Sequence, residues 1–201
     1  ASSRLQSRAI ASARSSARAV LISSYSKNDM VRETIGRIQQ VARHRGMRTA
    51  LVPPRPASVR VATYNVHACI GPDGRHDPDR VAGVIAELDA DVVALQEFTY
   101  PASVAIETRT PVVLTTLDRY ECALGPTRHT KKQECFGNAL LTRHPIVEVH
   151  RIDLSMERRE PRGALAATID VCGAPLHVLA AHLGLRLHER RVQERQVLDY
   201  L

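Results

Sequence analysis

The fold class of this chain is decided by the stretch VRVATYNVHACIGPDGRHDPDRVAGVIAELDADVVALQE, residues 59–97. Its first part, 59–66, alternates apolar and polar residues as a strand does, and GPDG at 71–74 is typical of a turn. A helix is predicted next, with Asp77 as its N-cap and a proline at its first position. The nearly continuous apolar run DVVALQE, 91–97, is typical of a strand buried on both faces. The stretch therefore predicts a strand, a helix and a second strand.

Five more apolar runs predict strands, with turn signals such as RHP and CGAP between them. These runs are YECALG (120–125), GNALLT (137–142), IVEVHRI (146–152), ALAATIDV (164–171) and PLHVLAAHL (175–183). The ending HERRVQERQVLDYL, 188–201, predicts a helix whose charged run HERRVQERQ forms a solvent-exposed face. We expect an α/β fold, a layered α/β sandwich with two mixed β-sheets flanked by helices.

Charge is distributed unevenly along the 201 residues, whose formal net charge is +7. Residues 1–60 contain 12 Lys and Arg against 2 Asp and Glu, a net charge of +10, whereas residues 61–201 contain 16 against 19, a net charge of −3. The basic character therefore belongs to the N-terminal segment. A weak attraction of this segment to anionic surfaces is the expected consequence.

This basic segment, residues 1–57, is rich in Ser, Ala and Arg and is interpreted as a leader or linker. Its composition resembles an organelle transit peptide, and a disordered basic leader is the alternative. Apolar residues at helical spacing predict a helix over 29–44. PPRP at 53–56 interrupts regular structure, so we place the domain boundary there. The folded domain is expected to occupy residues 58–201.

Composition excludes several classes of protein. No stretch approaches the roughly 18 to 20 consecutive apolar residues of a membrane-spanning helix. Aromatic residues make up only 3% of the chain, which speaks against an aromatic platform for stacking bases. The four cysteines lie far apart and form no CxxC pair, which argues against a zinc site and a disulfide scaffold. A reducing compartment and a cytoplasmic location are favoured, with targeting by the leader as the alternative.

Polar residues stand at the ends of three predicted strands. Asn65 lies in TYNVH at the end of the first strand, Glu97 in ALQE at the end of the second, and His182 in AAHLG at the end of the last. Polar side chains that follow buried strands converge on one edge of a sheet, where sites of α/β proteins usually lie. These residues are candidates for a functional site.

The chain from Val59 to Leu201 resembles the endonuclease/exonuclease/phosphatase superfamily of metal-dependent phosphoesterases. The resemblance is carried by five pieces in the expected order: ATYNVHACIGPDGRHD, ELDADVVALQE, GNALLTRHPI, EPRGALAATID and VLAAHLGLRLHERRVQERQVLDYL. The form TYNVH with GPDGRHD behind it is closer to the sphingomyelinase-like and uncharacterised bacterial members than to the abasic-site repair enzymes. The resemblance implies a hydrolase that acts on a phosphoester.

The resemblance also implies roles for the three strand-end residues. Glu97 corresponds to the glutamate that holds Mg²⁺, and Mn²⁺ is an alternative metal. The simpler interpretation of Glu97 is a solvated carboxylate at the end of a strand. Asn65 corresponds to the asparagine that orients metal and phosphate, and its simpler interpretation is a turn cap. His182 corresponds to the catalytic histidine that stabilises charge on a phosphoryl oxygen. Its simpler interpretation is a hydrogen-bonded histidine near the core.

Three further residues are candidates for substrate binding. His67 corresponds to a substrate contact of the sphingomyelinase-like branch, although a loop histidine is as often structural. Arg162 in EPRGAL matches a recurrent arginine suited to phosphate, with an ion pair to Glu160 or Glu97 as the alternative. Asn138 in GNALLT is either a framework residue or a substrate contact.

Two motifs that the resemblance leads us to expect, Asp-x-Asn and Ser-Asp-His, do not occur in the sequence. In the superfamily they supply the groups that position and activate water. We therefore expect a domain that is truncated at its C-terminus and inactive by itself, within a parent enzyme that hydrolyses a phosphoester. The expected substrates of that enzyme are a lipid head group, a nucleic acid or a small phosphodiester. The alternative is a non-catalytic binding module whose basic arm attaches to nucleic acid or an anionic membrane.

Overall fold

The computed structural model describes residues 9–14, 19–24, 58–103, 117–130 and 133–200, the first two ranges as backbone only. Nine strands and two α-helices lie in this part of the chain, with a 3-10 turn at His67–Cys69. The strands are β1 (Ala9–Arg14), β2 (Ala19–Ser24), β3 (Ser58–Asn65), β4 (Val92–Pro101), β5 (Glu121–His129), β6 (Glu134–Thr142), β7 (Ile146–Asp153), β8 (Gly163–Val171) and β9 (Ala174–His182). The helices are α1 (Pro78–Leu88) and α2 (Leu187–Tyr200).

The strands form two sheets, in the orders β1-β3-β4-β6-β5 and β2-β9-β8-β7. In the first sheet β3 and β4 run parallel while β4, β6 and β5 pair antiparallel, and in the second β2 runs parallel to β9 while β9, β8 and β7 pair antiparallel. Both sheets are therefore mixed, and the predicted layered sandwich is confirmed. All seven strands predicted from the sequence between residues 58 and 183 are present.

Helix α1 begins as the sequence predicts. The carboxylate of Asp77 accepts a hydrogen bond from the Arg80 backbone N–H at 2.9 Å, and Pro78 occupies the first helical position. Ile85 on its buried face packs with Tyr64 and Leu95 of the first sheet. This helix therefore covers the outer face of the first sheet.

The core between the two sheets is built from small and branched aliphatic side chains. Val92 and Leu140 of the first sheet pack in one cluster with Leu165, Ile169 and Val178 of the second. A smaller cluster, which includes Val197, lies between the second sheet and α2. Strand β4 continues to Pro101, so Glu97, which the sequence predicts at the end of this strand, lies within it. The sandwich places this part of β4 close to the end of β9 in the other sheet.

Two strands fall in the segment that the sequence analysis assigns to the leader. Strand β1 pairs antiparallel with β3, and β2 pairs parallel with β9. The sequence pattern does not predict these strands, which satisfy backbone groups along the edges of β3 and β9. The helix predicted at 29–44 and the PPRP break at 53–56 lie outside the described residues.

Neither of the two described helices combines the length and the apolar character that crossing a membrane requires.

Candidate functional site

A β-bulge on β4 places the carboxylate of Glu97. The pairing of β4 with β6 shifts register between Leu95 and Phe98, so Gln96 and Glu97 occupy the bulge. The backbone of Glu97 has φ 54°, which is left-handed and strained for a residue with a Cβ. Such bulges turn a side chain away from the direction that regular alternation would give it. Gln96 is buried, while the Glu97 side chain is 24% exposed.

Asn65 and His67 hold this carboxylate from the end of β3. The amide of Asn65 donates to Glu97 Oε1 at 3.0 Å, and Nδ1 of His67 lies 3.0 Å from Glu97 Oε2. The side-chain oxygen of Asn65 accepts from the His67 backbone N–H at 3.1 Å. His67 also has a positive φ, 49°, in the turn that follows β3. The three residues therefore form one connected network.

His182 reaches the same carboxylate from the second sheet. It ends β9, its side chain is 7% exposed, and its Nε2 lies 3.8 Å from Glu97 Oε1. Burial lowers the pKa of His182 to about 4, and the positive charge of Arg162 adds to this effect against the opposing carboxylates of Glu97 and Glu160. The imidazole is therefore neutral near pH 7.

The carboxylate of Glu97 is ionised at the same pH. Its burial alone would raise its pKa, but the Asn65 hydrogen bond and the neighbouring imidazoles of His67 and His182 bring the pKa below the usual 4.5. A negative carboxylate beside a neutral buried histidine is an arrangement that can accept a cation and donate to an anion.

Arg162 lies just before β8 and is buried, with 8% of its side chain exposed. Its Nη2 donates to Glu160 Oε2 at 2.8 Å, so the structure shows the ion pair with Glu160 that the sequence left as an alternative. Its Nε is buried and has no hydrogen-bond partner among the described residues. A buried cationic donor without a partner is costly, which makes this atom a candidate for binding an anionic ligand.

A cleft between the two sheets connects these groups. It is lined by Glu97, Thr127, Phe136, Gly137, Asn138, Pro161, Arg162, Gly163 and His182. All six predicted site residues thus lie in the cleft or in the Glu97 network that borders it.

Asn138 lines the cleft, but its side-chain amide nitrogen is already hydrogen-bonded within the protein. Its Nδ2 donates to the Gly163 carbonyl oxygen at 2.7 Å, and the residue is 2% exposed. The bond links β6 of the first sheet to the start of β8 in the second. Of the two alternatives for Asn138, the contacts favour the framework residue.

An aromatic residue that the sequence does not predict also lies at the cleft. Phe136 lines it and is partly buried, and the guanidinium of Arg128 lies 4.3 Å over its ring. Gly137, the next residue, needs to be glycine because a Cβ there would collide with the Gly125 carbonyl oxygen. Because Phe136 is one of only two phenylalanines, overall composition gave no signal for it.

Glu97 and Asn65 are the oxygen-bearing residues of the site that could bind Mg²⁺. Within the described ranges there is no group of three or more His, Cys, Asp or Glu side chains that could hold a metal. Mg²⁺ does not need one, because it commonly binds through one or two protein oxygens together with waters and substrate phosphate. The carboxylate of Glu97 and the amide oxygen of Asn65 are hard oxygen donors, and they fit such an ion.

Known structures share this architecture. An endonuclease/exonuclease/phosphatase from Beutenbergia cavernae DSM 12333 aligns with 71% of this chain and 44% of its own length, at 27% identity and a TM-score of 0.60. A protein of the same family from Leptotrichia buccalis C-1013-b aligns with 70% of this chain and 62% of its own length, at 20% identity and a TM-score of 0.54. The chain therefore spans less than two thirds of either structure.

Among curated proteins, the uncharacterised YbhP of Escherichia coli K12 is 36% identical over 67 residues, which cover 32% of this chain and 26% of YbhP. The family model of the PGAP2IP C-terminal nuclease-like domain matches residues 57–201. The match begins one residue before β3 and includes the whole cleft. This chain belongs to the family of PGAP2IP C-terminal nuclease-like domains, within the endonuclease/exonuclease/phosphatase superfamily.

Proposed function

We propose that the protein containing this chain is a hydrolase of phosphoesters, with a phosphodiester as the expected substrate and Mg²⁺ as the metal. The observation that carries the proposal is the position of Glu97. A strained bulge presents its ionised carboxylate to a cleft that also contains a neutral histidine and a buried arginine with a free donor. Strain of this kind is stored where function requires a particular geometry.

In this proposal Glu97 and Asn65 hold the metal. A bound Mg²⁺, or Mn²⁺ in its place, would supply a Lewis acid that polarises a phosphoryl oxygen. His67 steadies the carboxylate, since its ring nitrogen and backbone N–H contact Glu97 and Asn65 respectively. A metal ligand held by such neighbours keeps its orientation.

The anion-binding side of the cleft comes from the second sheet. Arg162 offers its unpartnered Nε to a phosphate oxygen, while Glu160 fixes the other end of the guanidinium. His182, neutral and buried, donates a hydrogen bond to the oxygen on which charge develops. The family resemblance assigns water activation to the Asp-x-Asn and Ser-Asp-His motifs, so hydrolysis is proposed for the whole protein.

Among the substrate classes expected from the sequence, the Arg128–Phe136 pair favours a nucleic acid. The guanidinium of Arg128 lies over the Phe136 ring and 3.7 Å from Glu160 Oε1, and a cation beside an aromatic ring at a phosphate cleft is a combination that suits a nucleotide. The net charge of −3 over residues 61–201 opposes long-range attraction of a polyanion. We therefore propose local recognition of a few nucleotides.

The test is hydrolysis of bis-p-nitrophenyl phosphate by the complete protein after removal of metal with EDTA, followed by addition of Mg²⁺ or Mn²⁺. Activity that disappears with EDTA and returns with either ion is the expected result. Full activity in excess EDTA would contradict the metal, and no hydrolysis with any divalent ion would favour the alternative of a non-catalytic binding module with a basic arm.

A further inference from the structure

Gln193 is a fully buried polar residue on a helix whose sequence is dominated by charge. The buried positions of α2 are Glu189, Gln193 and Val197, one helical turn apart. The prediction that the run HERRVQERQ forms an exposed face is wrong for Glu189 and Gln193, which are buried. An amide in such a position is costly unless it is hydrogen-bonded.

Both ends of the Gln193 amide are bonded, and to different loops. Its Oε1 accepts from the Gly184 backbone N–H at 2.7 Å, and its Nε2 donates to the Leu154 carbonyl oxygen at 3.0 Å. Gly184 follows His182 by two residues in the loop between β9 and α2. One side chain therefore joins the loop after His182 to the loop after β7.

The second of these loops leads to Arg162. The Leu154 backbone N–H donates to the Arg162 carbonyl oxygen at 3.0 Å. The hydroxyl of Ser155 bonds both the backbone N–H and the carbonyl oxygen of Arg162, each at 3.3 Å. The backbone of Arg162 is thus tied to the residue that Gln193 holds.

The loop after His182 also packs tightly against α2. A Cβ at Gly184 would collide with the carboxylate of Glu189, which is itself buried. Gly184 therefore allows the chain to reach the Gln193 amide directly after the strand that carries His182.

We propose that Gln193 is a positioning residue that sets His182 and Arg162 relative to each other across the cleft. This inference rests on the proposed function, in which both residues contact the same phosphoryl group. Loss of the bridge leaves the side chains present but displaces them by fractions of an ångström. Changes of this kind lower turnover by about 10- to 100-fold.

The test compares three variants of the complete protein. Gln193→Met keeps the length of the side chain and removes both bonds. Val197→Ala weakens the packing of α2 and leaves both bonds in place. Gln196→Met makes the same substitution at an exposed position of the same helix. Turnover of bis-p-nitrophenyl phosphate is measured well below the thermal midpoint of each variant.

We expect kcat to fall by about 10- to 100-fold in Gln193→Met, with KM changed less than about threefold, since the lost geometry matters most in the transition state. Val197→Ala is expected to lower stability but to keep kcat within about twofold of the unaltered protein. Equal kcat in Gln193→Met and the unaltered protein, or an equal loss in Val197→Ala, would overturn the positioning role.

A second readout does not depend on activity. In NMR spectra of the complete protein, Gln193→Met is expected to shift the imidazole signals of His182 and the Nε–H signal of Arg162 and to speed hydrogen exchange at the Gly184 amide. Gln193→Glu, which retains an acceptor for Gly184 but loses the donor to Leu154, is expected to shift Arg162 more than His182. It also replaces Gln193→Met if that variant does not fold.

The two readouts separate the inference from the proposed function. If the unaltered protein does not hydrolyse phosphoesters, the proposed function fails, and the NMR signals decide the positioning role. Unshifted His182 and Arg162 signals in both Gln193 variants would overturn that role whatever the activity.

Discussion

Asn65, the last residue of β3, donates its side-chain amide to Glu97 of the parallel strand β4, with 3.0 Å between Nδ2 and Oε1. The bond turns the amide oxygen of Asn65 and the second carboxylate oxygen of Glu97 toward the loop that begins at His67. Two oxygen atoms that could bind a cation, one from each of two neighbouring strands, are thereby held in place before any ligand binds. Such preorganisation reduces the cost of binding a cation.

Substitution of Arg162 tests the anion-binding side of the cleft. Arg162→Lys keeps a positive charge but lacks the Nε donor and the planar fork that reaches Glu160. We expect inhibition by inorganic phosphate to weaken by about 10-fold or more, because a hydrogen bond to a charged group contributes roughly 1.5–3 kcal/mol.

The matched control for Arg162→Lys is Arg159→Lys, which changes an exposed arginine of the same loop. This variant should have the phosphate inhibition constant of the unaltered protein. An inhibition constant in Arg162→Lys that equals that of the control would show that the guanidinium serves the ion pair with Glu160 alone.

Asn138 is expected to be important for stability and not for binding. Asn138→Ala removes the 2.7 Å bond to Gly163 and leaves a carbonyl oxygen unsatisfied between the two sheets. The free energy of unfolding should fall by about 1–3 kcal/mol, measured with urea. Phosphate affinity of the folded variant should stay within about twofold. A variant of unchanged stability and much weaker phosphate affinity would make Asn138 a substrate contact instead.

The basic leader is expected to govern binding to anionic surfaces. Deletion of residues 1–57 changes the net charge from +7 to −2 and also removes β1 and β2. Binding of the folded remainder to vesicles that contain an anionic lipid should weaken, and most strongly at low salt. Co-sedimentation at about 20 and 150 mM salt measures this. Equal binding by the shortened protein at low salt would show that the leader is not the attachment site.

The sequence predicts most of the fold because its local signals agree. Asp77 and the proline after it begin α1, and apolar runs such as 91–97 have the length and composition of buried strands. Strand β1 could not be predicted because its Ala, Ser and Arg-rich sequence lacks strand patterning, and the apolar run AVLI (19–22) of β2 is too short, within a basic segment, to predict a strand by itself. Their pairing depends on the free edges of β3 and β9, which exist only in the folded sheets.

The candidate site is predictable only in part. Asn65, Glu97 and His182 are identifiable because each is a polar residue at the end of a run of apolar residues. The bulge at Glu97 is not, since its positive φ arises from a register shift between β4 and β6. The role of Gln193 is not predictable for another reason. Its neighbours in sequence are charged, and only tertiary packing shows that its face of α2 is buried.

The proposed hydrolysis depends above all on Glu97 as the residue that binds the divalent metal. Glu97→Gln keeps the size of the side chain and removes its charge, while Glu87→Gln makes the same change on the exposed side of α1. The most direct measurement is the Mg²⁺ dependence of bis-p-nitrophenyl phosphate turnover by the complete protein carrying each substitution. We expect Glu97→Gln to lower turnover by about 10²- to 10⁴-fold at saturating Mg²⁺, with Glu87→Gln unchanged. If Glu97→Gln has the same turnover and the same Mg²⁺ dependence as Glu87→Gln, Glu97 does not bind the catalytic metal.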